Sequence, residues 1–344
     1  MGINRSRILL YSTVHFLVDF ACAFLLYQKV YGTEHWYLII LIYNFCAFAL
    51  QMPLGLLADR WNRNALCAAL GCLLVALAFG VSRFRSPVLC AVTAGIGNGL
   101  FHVGGGIDVL NISREKSSAL GIFVSPGALG IYLGTVMGKQ NSIQGFPIIL
   151  ILLASAFCIC VVQYIPHRSF LSDNKPLSFD GIGSTSVLAA IACLFLVVCL
   201  RSYVGMTLDF SWKGQNNWGI VLVLAVIFGK MAGGIFADRF GALKASGISL
   251  GIAAILFLLS ANPLAGVGAV FLFNMTMPIT LWAVARLLPG SKGFSFGLLT
   301  FGLFLGFTPV YLGAGPLLSS AAALSLAAVG SFVLLWVGLR KAVL

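Results

Sequence analysis

The sequence predicts an all-α integral membrane protein of twelve transmembrane helices in two pseudo-symmetric six-helix bundles. Of its 344 residues, 60% are hydrophobic and 9% charged, with a mean hydropathy of +1.02. Such a chain lacks the charge to cover a soluble surface. Its apolar runs approach the ~20 residues that a helix needs to cross a bilayer, whereas a transmembrane barrel would show short alternating segments. A charged turn also occurs twice, slightly more than half a chain apart.

The first copy is Gly55-Leu56-Leu57-Ala58-Asp59-Arg60-Trp61-Asn62-Arg63; the second is Gly234-Ile235-Phe236-Ala237-Asp238-Arg239-Phe240-Gly241-Ala242-Leu243-Lys244. Each places Gly four residues before an Asp-Arg pair, and Asp238 lies 179 residues after Asp59. A single copy would read as an ordinary membrane-surface charge cluster. Two copies indicate structurally similar halves, a common plan among secondary transporters. A second correspondence, offset by 176, aligns Lys116-Ser117-Ser118-Ala119-Leu120-Gly121 with Lys292-Gly293-Phe294-Ser295-Phe296-Gly297. Gly130 and Gly306 keep that offset, and small residues there allow close helix packing.

The expected spans in the first half are 7–30, 35–58, 65–82, 87–110, 118–138 and 145–165. The second half gives 185–208, 217–237, 242–260, 263–287, 293–313 and 316–339. Breakers at Gly32, Pro87, Gly145-Phe146-Pro147, Asn262-Pro263, Pro289-Gly290 and Gly315-Pro316 fall at the proposed ends. The first run holds His15 and Asp19 and reads as a retained span, with no cleavable signal evident. These spans divide the chain into an N-terminal bundle, 1–165, a cytoplasmic linker, 166–184, and a C-terminal bundle, 185–344. The linker carries His167, Arg168, Asp173, Lys175, Pro176 and Asp180.

A net charge of +12 raises the question of nucleic acid, but the basic residues are scattered singly between apolar runs. They fit membrane orientation better. With the N-terminus inside, 14 Lys and Arg fall in inner loops and 5 in outer loops, while Arg201 and Lys230 lie within spans. That ratio places both termini in the cytoplasm and the protein in the plasma (cytoplasmic) membrane. Arg83 and Arg85 on the outside run against the trend. The nine Cys lie in or beside apolar runs and read as packing residues. There is no metal-spaced His/Cys cluster, paired-carboxylate cleft or nucleotide-binding loop, so neither an enzyme, a cofactor, a metal site nor an ATP-driven pump is expected.

Twelve spans, the half-chain repeat and the Gly-x-x-x-Asp-Arg-x-x-Arg turn resemble the major facilitator superfamily. In that family the turn, called motif A, helps lock the cytoplasmic face closed. The resemblance implies gate roles for Gly55, Asp59, Arg60 and Arg63, echoed by Asp238 and Arg239. Asn64 stands where many members carry a further basic residue. Gly121-x-x-x-Ser125-Pro126-x-x-x-Gly130 is similar to motif C of drug–proton antiporters, with Ser125 in place of a Gly. A simple Pro-bent packing segment is the competing reading. Gly95-Ile96-Gly97-Asn98-Gly99-Leu100-Phe101-His102 resembles a fourth-span segment of fosmidomycin-resistance-like members, although Val103-Gly104-Gly105 replace their usual Pro-Glu.

Ionisable residues inside a membrane are costly and therefore functional candidates. His15 and Asp19 share a helical face, and Asp19 is a candidate proton carrier. The alternative is a salt bridge that fixes packing. Asn98 and His102 are again four apart, and Gly104-Gly105-Gly106 are expected to loosen their helix. His102 is a candidate for proton coupling and substrate binding. Arg201 suits capture of an anion, or pairs with Asp19. Lys230 either gates or snorkels. Asp108 is expected to pair with Arg114 or the motif turn, while Asp209 and Lys213 flank the outer mouth. Tyr11, Tyr43, Asn44, Gln51, Tyr203, Asn274 and Trp282 are candidate path-lining residues. The resulting expectation is a monomeric, proton-coupled secondary transporter that exports a small polar or anionic organic compound by alternating access. Its partners are that substrate, protons and the lipid bilayer, with no nucleic acid. Uptake of an organic anion or nutrient is the alternative; a non-transporting membrane receptor or scaffold is the alternative of another class.

Overall fold

The computed structural model describes residues 2–82, 86–113, 116–164, 177, 185–315 and 318–343. Arg83, Arg85, Arg114, Pro316 and all of the expected linker except Leu177 lie outside the described residues. Among the described residues twelve apolar helices follow one another, eleven of them long enough to span a bilayer and one shorter. We number them α1 (Gly2–Lys29), α2 (Trp36–Trp61), α3 (Asn64–Val81), α4 (Pro87–Ser113), α5 (Ser117–Gln140) and α6 (Gly145–Tyr164). The second half supplies α7 (Thr185–Thr207), α8 (Trp218–Phe240), α9 (Ala242–Leu258), α10 (Pro263–Leu287), α11 (Lys292–Tyr311) and α12 (Ala321–Val343).

Local chemistry sets the helix ends. Asn262 caps α10 by accepting N–H bonds from Leu264 and Ala265, with Pro263 at the first helical position. Both copies of the charged turn end their helix on a residue with positive φ. Asn62 adopts 56° and Gly241 89°, and these positions keep the 179-residue offset. Asn and Gly tolerate that region best, which explains why the two copies diverge in this way. The helix α5 breaks at Ser125, whose hydroxyl donates to the Gly121 carbonyl, and resumes at Pro126. A π-helical turn, Phe45–Ala49, interrupts α2.

Contacts group the chain into two compact units. Unit 1 contains Met1–Arg114, Pro126–Leu177 and Gly290–Phe301; unit 2 contains Glu115–Ser125, Ser178–Pro289 and Gly302–Leu344. The starts of α5 and α11 therefore each group with helices from the other half of the chain.

Unit 1 is built around α4, in which residues 101–110 are all buried. Glycines seat it: a Cβ on Gly104 would lie 2.4 Å from the Asn64 carbonyl, and one on Gly97 2.8 Å from the Val75 nitrogen. The expectation that Gly104-Gly105-Gly106 loosen α4 is overturned. The helix runs unbroken to Ser113, with Gly104 against α3 and Gly106 against the Phe296 ring. Along α5, Gly130, Gly134 and Gly138 face the backbone of Phe16, Phe20 and Phe24 on α1. Lipid gives apolar helices little hydrophobic reason to associate, so close backbone approach supplies van der Waals contact instead.

In unit 2, α12 packs on α7 and α9, and α8 on α10 and the start of α5. Each unit also presents an apolar exterior. On α6, Phe146, Leu150, Leu153, Phe157 and Val161 are exposed along one helical face; on α9, Ile248, Ile252 and Ile255 repeat the pattern. Stripes of this kind suit lipid contact, and the protein is an integral membrane protein.

Candidate functional site

A buried polar cluster of unit 1 joins α1 and α4. One helical turn separates His15 from Asp19, and another separates Asn98 from His102. The two rings meet Nε2 to Nε2 at 2.8 Å. Asp19 Oδ2 lies 3.2 Å from His15 Nε2, and its Oδ1 lies 3.6 Å from His102 Nε2. The Asn98 amide donates to Asp19 Oδ1 at 2.8 Å and reaches Cys22 Sγ at 3.8 Å. All four principal side chains are buried.

The proton inventory follows from the partners. The Asn98 carbonyl, 2.9 Å from His102 Nδ1, can only accept, so Nδ1 carries a hydrogen. Two Nε2 atoms at 2.8 Å require one proton between them: none would oppose two lone pairs, and two would collide. In neutral His102 the Nε2 accepts, and His15 Nε2 donates. Adding a proton makes an imidazolium beside the Asp19 carboxylate, which offsets its charge. The cluster can therefore hold a proton away from water.

Gly127, on α5 just past the Ser125-Pro126 break, closes the cluster. A Cβ there would lie 2.4 Å from both Asp19 Oδ2 and His15 Nε2. Gly127→Ala is expected to push these side chains apart while leaving the helices assembled, because the obstacles are side-chain ends. Gly130→Ala would instead meet the Phe16 carbonyl at 2.4 Å, an obstacle that cannot rotate away. Thermal unfolding in detergent should show a larger loss for Gly130→Ala than for Gly127→Ala.

The remaining gate and path candidates fall in several places. Asp108 accepts from the Tyr11 hydroxyl at 2.5 Å, and Arg7 donates to the Val162 carbonyl at 3.1 Å. The partners of Asp108 include Tyr11 and Asn64, next to the motif turn. In unit 1, Asp59 accepts the N–H groups of Gly293 (2.8 Å) and Phe294 (2.9 Å) at the start of α11. In unit 2, Asp238 accepts from Ser117 N (2.7 Å), Ser117 Oγ (2.8 Å) and Ser118 N (3.1 Å) at the start of α5. The 176- and 179-residue offsets relate these partners pair by pair. Gly55 abuts the Gly293 carbonyl as Gly234 abuts that of Ser117; Gly297 abuts the Gln51 carbonyl as Gly121 abuts that of Lys230. The duplicated turns and duplicated helix starts thus meet each other crosswise. Arg60, Arg63 and Arg239 are exposed, with Arg239 stacked over Phe240.

In unit 2, Arg201 is buried, with Nη1 3.4 Å from the Thr276 hydroxyl. Among the described residues no carboxylate lies within salt-bridge distance of it. It lines a cavity of about 290 Å³ with Lys213, Asn274, Gly205, Phe257 and Phe273. Asn274 donates to the Val270 carbonyl and Lys213 to that of Leu208. The partners of Asp19 described above all lie in unit 1. Tyr43 is buried and reaches Cys22, beside the α1–α4 cluster. Tyr203 donates to the Gly315 carbonyl, and the Arg286 guanidinium lies 5.3 Å from the Trp282 ring. Lys230 is half-buried on α8.

Sequence reasoning passed over Cys22, Gly127 and Thr276. Gly127 follows the Pro of the bent motif, and Thr276 follows Asn274 by two residues, but neither spacing identifies a cluster contributed by separate helices. The expectation of no metal-spaced His/Cys cluster concerned spacing along the chain alone. Ligating atoms of His15, Asp19 and His102 come within 4.8 Å of one another, assembled from two helices rather than from one spaced motif.

Neither the protein-family models nor the curated proteins contain a match. Solved structures do. Two structures of the E. coli fucose:proton symporter, one described as a major facilitator superfamily transporter in the outward conformation, align at TM-scores of 0.69 and 0.70. Both are 13% identical and cover 97% of this chain and 98% of theirs. The human organic anion transporter MFSD10 aligns at 0.68 with 17% identity, covering 96% of this chain and 99% of its own. A bacterial homologue of the iron transporter ferroportin aligns at 0.60 with 16% identity, covering 100% and 99%. The chain has the fold of the major facilitator transporters.

Proposed function

We propose that the protein is a proton-coupled secondary transporter that moves a small polar or anionic organic compound by alternating access. The observation that carries this reading is the buried His15–Asp19–His102 cluster with its Asn98 support. A carboxylate and two imidazoles inside an apolar bundle are expensive unless they serve an ion or substrate. The fold supports transport over enzymatic chemistry or a passive scaffold, and two structural neighbours are described as a fucose:proton symporter and an organic anion transporter. Asp59 and Asp238, each holding a helix start, supply the gates. The protein acts as a monomer in the cytoplasmic membrane with both termini inside.

Export is the preferred direction, on the likeness of Gly121–Gly130 to motif C; uptake fits the neighbours equally well. A thermal-shift screen of metabolites and antibiotics, followed by counterflow in proteoliposomes with each hit, identifies the substrate. Transport driven by a pH gradient supports the proposal, and hits that bind without crossing the membrane favour a receptor.

The anionic character rests on Arg201, a guanidinium in a small cavity without a carboxylate partner among the described residues. Arg201→Lys keeps the charge but loses the planar fork. It is expected to weaken binding of an anionic hit by about tenfold, roughly 1.4 kcal/mol. Unchanged affinity by isothermal titration would remove Arg201 from the substrate site.

A further inference from the structure

We infer that His15 Nε2, His102 Nε2 and a carboxylate oxygen of Asp19 form a three-ligand site for a divalent first-row transition-metal ion. The inference stands on ligand geometry and does not require the transport reading. The imidazole nitrogens are 2.8 Å apart, Asp19 Oδ2 lies 3.2 Å from His15 Nε2 and Asp19 Oδ1 3.6 Å from His102 Nε2, and one ligating atom from each residue falls within 4.8 Å of the other two. An ion with bonds of about 2.0–2.2 Å in tetrahedral or octahedral geometry needs ligand edges of about 2.8–3.6 Å. The two imidazole nitrogens already stand at such an edge, and a rotation of the Asp19 carboxylate that brings one oxygen towards both completes one face of a coordination polyhedron.

The outer contacts point the same way. Metal-bound imidazoles commonly donate their other N–H to a carbonyl, and bound carboxylates are themselves hydrogen-bonded. Here His102 Nδ1 donates to the Asn98 carbonyl, leaving Nε2 as the donor atom, and the Asn98 side chain holds Asp19 Oδ1. His15 needs only its neutral tautomer with hydrogen on Nδ1 to present Nε2 as well. One Asn thus orients ligands on both α1 and α4. Residual exposures of 5% for His15, 7% for Asp19 and 8% for His102 leave the cluster short of complete enclosure. Two imidazoles with one carboxylate favour Zn²⁺, Co²⁺ or Fe²⁺ over Mg²⁺ and Ca²⁺, which prefer all-oxygen shells. The ion and the shared proton use the same lone pairs, so each excludes the other.

The test uses the purified full chain in detergent with Co²⁺ and Zn²⁺ as probes. Equilibrium dialysis should give one saturable Co²⁺ per chain, displaced by Zn²⁺ but not by Mg²⁺. The absorption spectrum should show nitrogen and oxygen ligation without a thiolate charge-transfer band. His15→Gln and His102→Gln should each weaken binding at least tenfold, while His35→Gln, at the exposed His35–Glu34 pair, should not. Absence of saturable binding, a thiolate band, or binding unchanged in His102→Gln overturns the site. The wild-type spectrum decides the matter even if a variant fails to fold. Gradient-driven transport without metal binding defeats this inference alone; metal binding without such transport supports it and defeats the proton-coupled reading.

Discussion

On the proposed proton-coupled transport, replacing Asp19 with Asn is expected to abolish substrate accumulation driven by a pH gradient while leaving counterflow of the same substrate measurable. The substitution is nearly isosteric, and its side-chain oxygen can still accept from the Asn98 amide, now 2.8 Å away. Asn cannot take up or release a proton, and it supplies no negative charge to balance an imidazolium. With His15 and His102 touching through Nε2, a second proton on this pair would face no compensating carboxylate. The cluster is then confined to one protonation state. Counterflow exchanges substrate without net proton movement, so it survives if the substrate site is intact. Paired assays in proteoliposomes, with and without an imposed gradient, make the comparison. Gradient-driven accumulation equal to wild type would show that Asp19 carries no coupled proton. Loss of both activities would place Asp19 in substrate binding or packing instead.

Much of the architecture was legible because its causes are local. Span length, apolar composition and breakers such as Asn262-Pro263 depend on neighbours in the chain, and they set the twelve helices. The repeat was legible for a further reason: Asp59 and Asp238 perform the same capping task, so each copy keeps Gly four residues earlier and a left-handed residue three later. Their partners at 117–118 and 293–294 were noticed as a second repeat, but sequence alone does not say that one repeat docks on the other. The site was legible by halves. Helical spacing placed His15 beside Asp19 and Asn98 beside His102. Nothing in that spacing brings α1 against α4 so that two Nε2 atoms meet. Gly104-Gly105-Gly106 misled because glycine permits either a loosened helix or a tightly packed one, and the small residues of α3 decide for packing.

Removing the Asp59 carboxylate is expected to cost more than removing that of Asp238, although Asp238 accepts three hydrogen bonds and Asp59 two. Burial decides the order. Asp59 is 1% exposed, whereas Asp238 is exposed. The first N–H groups of a helix have no partner within it, and a carboxylate there both accepts their hydrogens and meets the positive end of the dipole. Asp59→Ala leaves the Gly293 and Phe294 N–H groups facing a pocket with little room for water, a loss of about 1.5–3 kcal/mol for charge-assisted bonds. After Asp238→Ala, water reaches the freed groups and replaces much of what is lost. Thermal unfolding in detergent should therefore fall clearly for Asp59→Ala and less for Asp238→Ala. Asp59→Asn should lie between wild type and Ala, because its one side-chain oxygen can serve one N–H while its amide opposes the other. Equal losses for Asp59→Ala and Asp238→Ala would show that the two helix starts are held mainly by the close approaches of Gly55 to Gly293 and Gly234 to Ser117, with the carboxylates contributing little.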